Sequence, residues 1–162
     1  MEGLDAELKS FIGVDGPWLE AADEVCQPMI RHWCEAMQDG NPLYTDREYA
    51  ARSRYGRTIA PPTMLLSWSM LPIWPPPEAG NGPVDQAMAV LDKAGFNQLI
   101  IARTTQRYAR PLFPGDRVRF MYRVDNIVGE KDTALGKGYF ITAVFTYINQ
   151  RSEPVGTQIL DI

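Results

Sequence analysis

Apolar residues first fall into helical register at Ile30, Trp33, Cys34 and Met37, spaced i, i+3, i+4, i+7, while Arg31, His32 and Glu35 point elsewhere. The spacing predicts a helix that opens near Pro28, where proline suits a first turn, and stops near Gln38, because Gly40 and Pro42 follow. Residues 39–44 carry no periodicity and are expected to be loop. Thr45-Asp46-Arg47-Glu48 fits the capping-box pattern Ser/Thr-x-x-Glu, which predicts a second helix running to about Tyr55 and closing at Gly56. Upstream, Trp18–Val25 follows the turn-like Asp15-Gly16-Pro17 and is expected to form a first strand.

Residues 61–71 are apolar on nearly every side, so a helix there is expected to be enclosed rather than to lie on the surface. Pro61 forces Ala60 out of helical geometry, and Pro62 or Thr63 opens the helix. Pro72 to Gly95 is irregular, with Trp74-Pro75-Pro76-Pro77, then Gly80-Asn81-Gly82-Pro83, then a short helix over 85–93 with Ala87, Val90 and Leu91 facing inward. A connection this long is commonly functional or mobile. The remainder reads as β: a strand over 100–109, a turn through Pro114-Gly115, and a half-buried strand with Val118, Phe120, Tyr122 and Val124 on its inner face. Residues 138–148 are β-branched and aromatic on both faces, as a central strand requires, and a last strand follows over 155–160. Helices before strands predict an α+β class, with helices on one side of an antiparallel sheet.

With 162 residues the chain is expected to be one domain, 1–162, whose core needs neither metals nor disulfides. A net charge of −4 offers no polycation to a nucleic-acid backbone. No apolar run reaches membrane-spanning length, and the acidic Met-Glu-Gly-Leu-Asp start lacks a signal-peptide core, so a cytoplasmic location is expected. Cys26 and Cys34 lie eight residues apart, the second within a helix, and reduced thiols are expected. His32 is the one histidine, so no metal site is expected.

Asp39-Gly40-Asn41-Pro42-Leu43-Tyr44 resembles the active-site loop of MaoC-like, hot-dog-fold enoyl-CoA hydratases, which runs Asp-x-Asn-Pro-hydrophobic-His. Residues 55–63, Tyr-Gly-Arg-Thr-Ile-Ala-Pro-Pro-Thr, resemble the approach to the central helix of those domains. Residues 135–142, with Tyr147-Ile148-Asn149-Gln150 after them, resemble their late hairpin. The resemblance implies a curved antiparallel sheet wrapped around a central apolar helix at about 61–71. It implies water addition to a trans-2-enoyl-CoA, with coenzyme A as part of the substrate and no other cofactor. Asp39 then matches the family's catalytic aspartate, Asn41 its asparagine, and Thr63 the place of an oxyanion donor. Tyr44 stands where the family has its catalytic histidine.

A tyrosine titrates near 10 and is a poor base at neutral pH. The chain therefore resembles the degenerate subunit of heteromeric steroid side-chain hydratases, in which a short MaoC-like partner carries the Asp and His. A heterodimer or heterotetramer is the implied assembly. In that type the degenerate domain can precede a zinc-ribbon/OB-fold module that recruits a thiolase-like aldolase. Residues 1–162 contain none, which leaves a truncated piece or a stand-alone subunit. The lost active site would free space for a bulky acyl group, shaped by Met64, Trp68, Met70, Trp74 and residues 72–83, although such residues are as readily plain core. An autonomous homodimeric hydratase using Asp39 and a non-enzymatic scaffold docking a neighbouring acyl-CoA enzyme are the competing readings. Hot-dog thioesterases place a carboxylate on or beside the central helix, and residues 60–71 hold none. Arg103, Arg107 and Arg110 suit phosphate chemistry, but solvated strand residues are the favoured reading, and Lys131 and Lys137 have no stronger claim.

Overall fold

Five strands, β1 (Leu19–Glu20), β2 (Arg103–Tyr108), β3 (Val118–Thr133), β4 (Gly136–Asn149) and β5 (Pro154–Asp161), make one antiparallel sheet in the spatial order β1-β3-β4-β5-β2. They belong to a computed structural model that describes residues 2–74, 82–134 and 136–162. Among the described residues six helices accompany the sheet: α1 (Glu2–Lys9), α2 (Gln27–Met37), α3 (Pro42–Thr45), α4 (Arg47–Arg52), α5 (Leu65–Trp68) and α6 (Pro83–Lys93). A 3₁₀ turn, Pro62–Met64, runs directly into α5.

The alternation read in β3 is the alternation observed: Val118, Phe120, Tyr122 and Val124 are buried, and Met121 and Arg123 face outward. β4 lies between β3 and β5, as its composition predicts. Across the β3–β4 ladder Tyr122 stands opposite Phe145 and Phe120 opposite Tyr147, with ring centroids 5.2 and 6.3 Å apart. Register shifts at Val124/Asn126 and Val128/Lys131 interrupt the long hairpin, the kind of irregularity at which a strand bends.

The central helix rests on β4 and β5. A Cβ at Gly156 would lie 2.5 Å from the Arg107 carbonyl oxygen and 3.2 Å from Leu65 Cδ2, so only glycine lets helix and edge strand approach there. Ser69 Oγ lies 3.2 Å from Tyr147 Oη; Tyr147 donates to Gln158 Oε1 at 3.1 Å, and Gln158 Nε2 donates to Thr104 Oγ1 at 3.0 Å. This polar chain satisfies groups that would otherwise be costly to bury.

Several local expectations differ from the structure. The strand expected over 18–25 is only Leu19–Glu20, because the chain bends away after Ala21 donates to the Val118 carbonyl. Met37 is 62% exposed, not part of the buried stripe: it ends α2, and Gln38 turns away in the left-handed region at φ 54°. The loop expected at 39–44 contains α3, since Asn41 caps it by accepting from the Leu43 N–H, and Pro42 occupies its first turn. α4 starts one residue later than expected, because Asp46, not Thr45, accepts the Tyr49 N–H. It runs only to Arg52, with Ser53 as its C-cap, rather than to about Tyr55 with Gly56 closing it.

The central helix is shorter than 61–71, and only one of its sides is enclosed. Ser69 donates back to the Leu66 carbonyl and Pro72 follows Leu71, so the helix cannot continue. Met64, Leu65 and Trp68 are buried; Thr63, Met70, Ile73 and Trp74 are exposed. Val90 is only half-buried, whereas Ala87 and Leu91 are core. α1, unforeseen, buries Leu8 and accepts the Tyr139 hydroxyl on Asp5. The apolar-space reading of residues 72–83 falls partly on 75–81, which lie outside the described residues, as does Leu135 of the late-hairpin match.

Candidate functional site

The loop between α2 and α4 is organised by its own short polar side chains. Asp39 donates its N–H to the Cys34 carbonyl, and its Oδ1 accepts the Asn41 N–H at 3.0 Å. Asn41 Oδ1 in turn accepts the Leu43 N–H at 3.1 Å, and the Tyr44 N–H returns to the Asn41 carbonyl. These are the Asx-type contacts that Asp-x-Asn-Pro favours. They direct Tyr44 inward, where it is 9% exposed.

Gln27 fastens this loop to the rest of the fold. Its Nε2 donates to the Tyr44 carbonyl at 2.6 Å, and its Oε1 accepts from Thr58 Oγ1 at 3.2 Å. The Ile59 N–H donates to the Leu43 carbonyl, and the Ala60 N–H to that of Leu112. The loop is thereby tied to the segment that leads into the central helix.

Electrostatics hold the Tyr44 phenol in its protonated form more firmly than a free tyrosine. Burial raises its phenol pKa above the usual 10, the Asn41 side chain opposes this by hydrogen bonding, and the Asp39 carboxylate raises it further. Cys34 is pushed up for the same first reason, burial, with Asp39 and Glu35 adding to it. Asp39 itself is half-buried.

The structure thus gathers Asp39, Asn41 and Tyr44 into one unit and places Thr63, Met64 and Trp68 on the adjoining segment. Thr63 is exposed, Met64 and Trp68 are core, and the buried Trp68 Nε1 has no hydrogen-bond partner among the described residues. One cavity of about 210 Å³ lies behind Pro61 and Pro62, between Tyr55, Leu65 and Tyr108; a larger one of about 710 Å³ lies between α6, residues 95–102 and the β3–β4 hairpin. None of Asp39, Asn41, Tyr44, Thr63, Met64 and Trp68 lines either.

The remaining candidates occupy ordinary surface positions. His32 is exposed, its Nδ1 3.4 Å from Glu35. Arg103 pairs with Asp161, Arg110 with Glu153, and Lys137 with Glu130, while Lys131 sits over the Phe140 ring. Both cysteines are free thiols. Among the described residues no cluster of three His, Cys, Asp or Glu side chains suits a metal, and no helix is long and apolar enough to cross a membrane. Sequence reasoning missed the larger cavity and the Gln27 clamp. The apolar run Leu99-Ile100-Ile101 was a legible signal for the cavity; nothing local marked Gln27.

Comparison with known proteins agrees with this geometry. The family described as FAS1-like, dehydratase domain region, matches residues 10–158. A probable enoyl-CoA hydratase alpha subunit of Thermomonospora curvata is 38% identical over 165 residues, covering 98% of this chain and 51% of that protein. The 3-oxo-4,17-pregnadiene-20-carboxyl-CoA hydratase alpha subunit of Mycobacterium tuberculosis is 37% identical over 123 residues, covering 75% of this chain and 39% of that one. The chain therefore spans about half the length, or less, of these curated relatives. In the crystal structure of the ChsH1-ChsH2 complex from Mycobacterium tuberculosis, one chain superposes with a TM-score of 0.88 at 28% identity, covering 99% of this chain and 95% of that chain.

Proposed function

The chain belongs to the FAS1-like dehydratase-region family, and from that membership we propose that it is the catalytically degenerate, accessory subunit of a heteromeric enoyl-CoA hydratase. A short MaoC-like partner supplies the Asp–His pair, and the assembly adds water to a trans-2-enoyl-CoA with a bulky acyl group such as a steroid side chain. The hydratase alpha-subunit names of two relatives and the likeness to a chain of a two-component complex support this reading. Coenzyme A is part of the substrate, and the reaction takes place in the cytoplasm without a further cofactor.

The observation that carries the proposal is Tyr44. Hydration needs one group to deprotonate water and one to protonate the α-carbon at neutral pH. By the loop resemblance Tyr44 stands where the family has its imidazole; it is buried, and its phenol pKa is raised by desolvation. Asp39 remains beside it with one carboxylate oxygen already accepting the Asn41 N–H. A carboxylate without a titrating partner is half of an acid–base pair. The role left to this loop is to hold the fold at the subunit boundary; Asn41, Tyr44 and Thr63 are the residues proposed to meet substrate there, and Met64 and Trp68 support them from the core.

The test is reconstitution. The chain is expressed alone and with short MaoC-like proteins, and hydration of a short and of a steroid enoyl-CoA is measured. Turnover only on mixing, with preference for the bulky substrate, is the expected result. Turnover by the chain alone that disappears in Asp39→Asn would establish the autonomous hydratase instead. No turnover in either arm would favour a scaffold.

A further inference from the structure

We propose that the smaller cavity, of about 210 Å³, forms a nucleotide site with the arginines beside it: the cavity seats a planar base and the guanidinium groups hold its phosphates. The inference goes beyond the hydratase reading and does not depend on it. It follows from where this chain leaves its positive charge and its aromatic rings.

The cations without a carboxylate gather in one stretch. The chain carries a net charge of −4, and Arg103, Arg110, Arg123 and Lys137 each lie within 3.2 Å of an acidic side chain. Arg47, Arg52, Arg54 and Arg57 fall within eleven consecutive residues, all four are exposed, and none pairs with a carboxylate among the described residues. The acids of the same stretch leave them so. Asp46 accepts the Tyr49 N–H as the cap of α4, and Arg52 donates to the Glu48 backbone carbonyl rather than to its carboxylate.

The cavity adjoins the end of that stretch. Arg54 and Tyr55 line it: Arg54 Nη2 donates to Tyr55 Oη at 2.5 Å, and the guanidinium carbon lies 4.7 Å from the ring centroid. One such bond leaves most of the Arg54 N–H groups for an oxyanion. Arg57 lies 4.0 Å over the ring of Phe113, the neighbour of the wall residue Leu112. Tyr108 lines the cavity with a ring that is 47% exposed and fixed by its hydroxyl, which donates to Gln106 Oε1 at 2.6 Å. Arg110 also lines it, but Glu153 holds that side chain. The Ala60 N–H on the Leu112 carbonyl and the Ala109 N–H on the Val155 carbonyl, both at 2.8 Å, keep the space open without a ligand.

Size and chemistry then select the occupant. A volume of 210 Å³ falls below the range of drug-sized sites, so it seats one ring system and leaves the rest of the ligand at the rim. Tyrosine and proline walls suit the face of a base, and unpaired guanidinium groups suit phosphate. A hydrocarbon would leave the arginines unused, and a bare inorganic anion would leave the apolar walls in water. A nucleotide satisfies both. Two sources carry this chemistry, a free adenine nucleotide and the nucleotide end of a coenzyme A derivative.

Calorimetric titration of the chain with ADP, adenosine, pyrophosphate and adenosine 3′,5′-bisphosphate tests the site. ADP is expected to bind saturably and more tightly than either adenosine or pyrophosphate, with added salt weakening ADP far more than adenosine. Tighter binding of the 3′,5′-bisphosphate than of ADP identifies the coenzyme A nucleotide as the source, and the reverse order identifies a free nucleotide. Arg54→Gln and Arg57→Gln, at exposed positions, should each weaken ADP about tenfold, spare adenosine, and leave the melting temperature unchanged. Tyr108→Ala should weaken ADP and adenosine alike, and Tyr108→Phe should restore both. No saturable ADP binding, or ADP binding that both arginine variants leave intact, would overturn the proposal. So would pyrophosphate that binds as tightly as ADP to a chain indifferent to Tyr108→Ala, since only a cationic patch would remain. None of these titrations involves turnover or a partner, so the nucleotide site and the hydratase reading fail separately.

Discussion

At the scale of single residues, one ring decides what the loop can do. Tyr44 keeps its proton throughout the neutral range, because burial and the neighbouring Asp39 carboxylate both disfavour the phenolate. Removing its hydroxyl should therefore cost little: Tyr44→Phe in the assembled complex is expected to retain kcat within about twofold, the size of change that follows when no proton-transfer group is lost. A loss of a hundredfold or more, measured by steady-state hydration kinetics, would make the phenol a participant. Tyr147 offers a stability prediction with a definite sign. Its pKa is pushed from 10 up to about 12 by burial, against a smaller opposing hydrogen bond with Ser69. The folded chain holds a proton that the unfolded chain gives up at about 10. The stabilisation is therefore complete below pH 10 and is lost as pH rises towards 12, by at most about 3 kcal/mol. Urea titrations at stepped pH, read against tyrosinate absorbance, check it; a midpoint that stays constant over that window would refute the assignment.

At the scale of elements, short polar caps and one bare backbone position matter more than helix length. α4 is capped by Asp46 rather than Thr45, so Asp46→Ala should destabilise by about 1 kcal/mol and Thr45→Ala by much less. Equal effects in chemical denaturation would restore the capping box that the sequence suggests. Gly156 pairs with Tyr108 on one side and Tyr147 on the other, and its missing side chain lets the Arg107 carbonyl and Leu65 close in. Gly156→Ala should cost about 1–3 kcal/mol, because the added methyl meets backbone that cannot move aside cheaply. A variant as stable as the parent would show that β2 and the central helix sit more loosely than the ladder implies. Elements with strict periodicity, such as β3, were legible along the chain because each residue states its own side of the sheet. The length of the central helix was not, since its apolar residues read alike whether covered by sheet, as Trp68 is, or left in solvent, as Met70 is.

At the scale of the whole molecule, the described surface leaves apolar side chains uncovered in ways a self-sufficient monomer seldom does. Ile73 is 91% exposed, Trp74 84% and Met70 65%, just beyond the central helix, and Leu99 to Ile101 lead into the open edge strand β2. On the heteromeric proposal the chain should gain stability from its partner by mass action: partner present at about a hundred times Kd should add about 3 kcal/mol and raise the melting temperature with concentration. A melting temperature indifferent to every short MaoC-like partner would remove the heteromeric reading. The sequence by itself determined the fold class, the strand with its core face, and the absence of an imidazole from the Asp-x-Asn-Pro loop. Each of these is carried by residue type and spacing within one segment. Tertiary structure alone decided that Tyr44 is buried, that Gln27 pins its carbonyl, and that the large cavity stands apart from the loop. Those outcomes depend on which distant stretches meet: residues 88–102, 133–134, 136–141 and 162 close one space together, and the apolar run at 99–101 does not by itself record its distant neighbours.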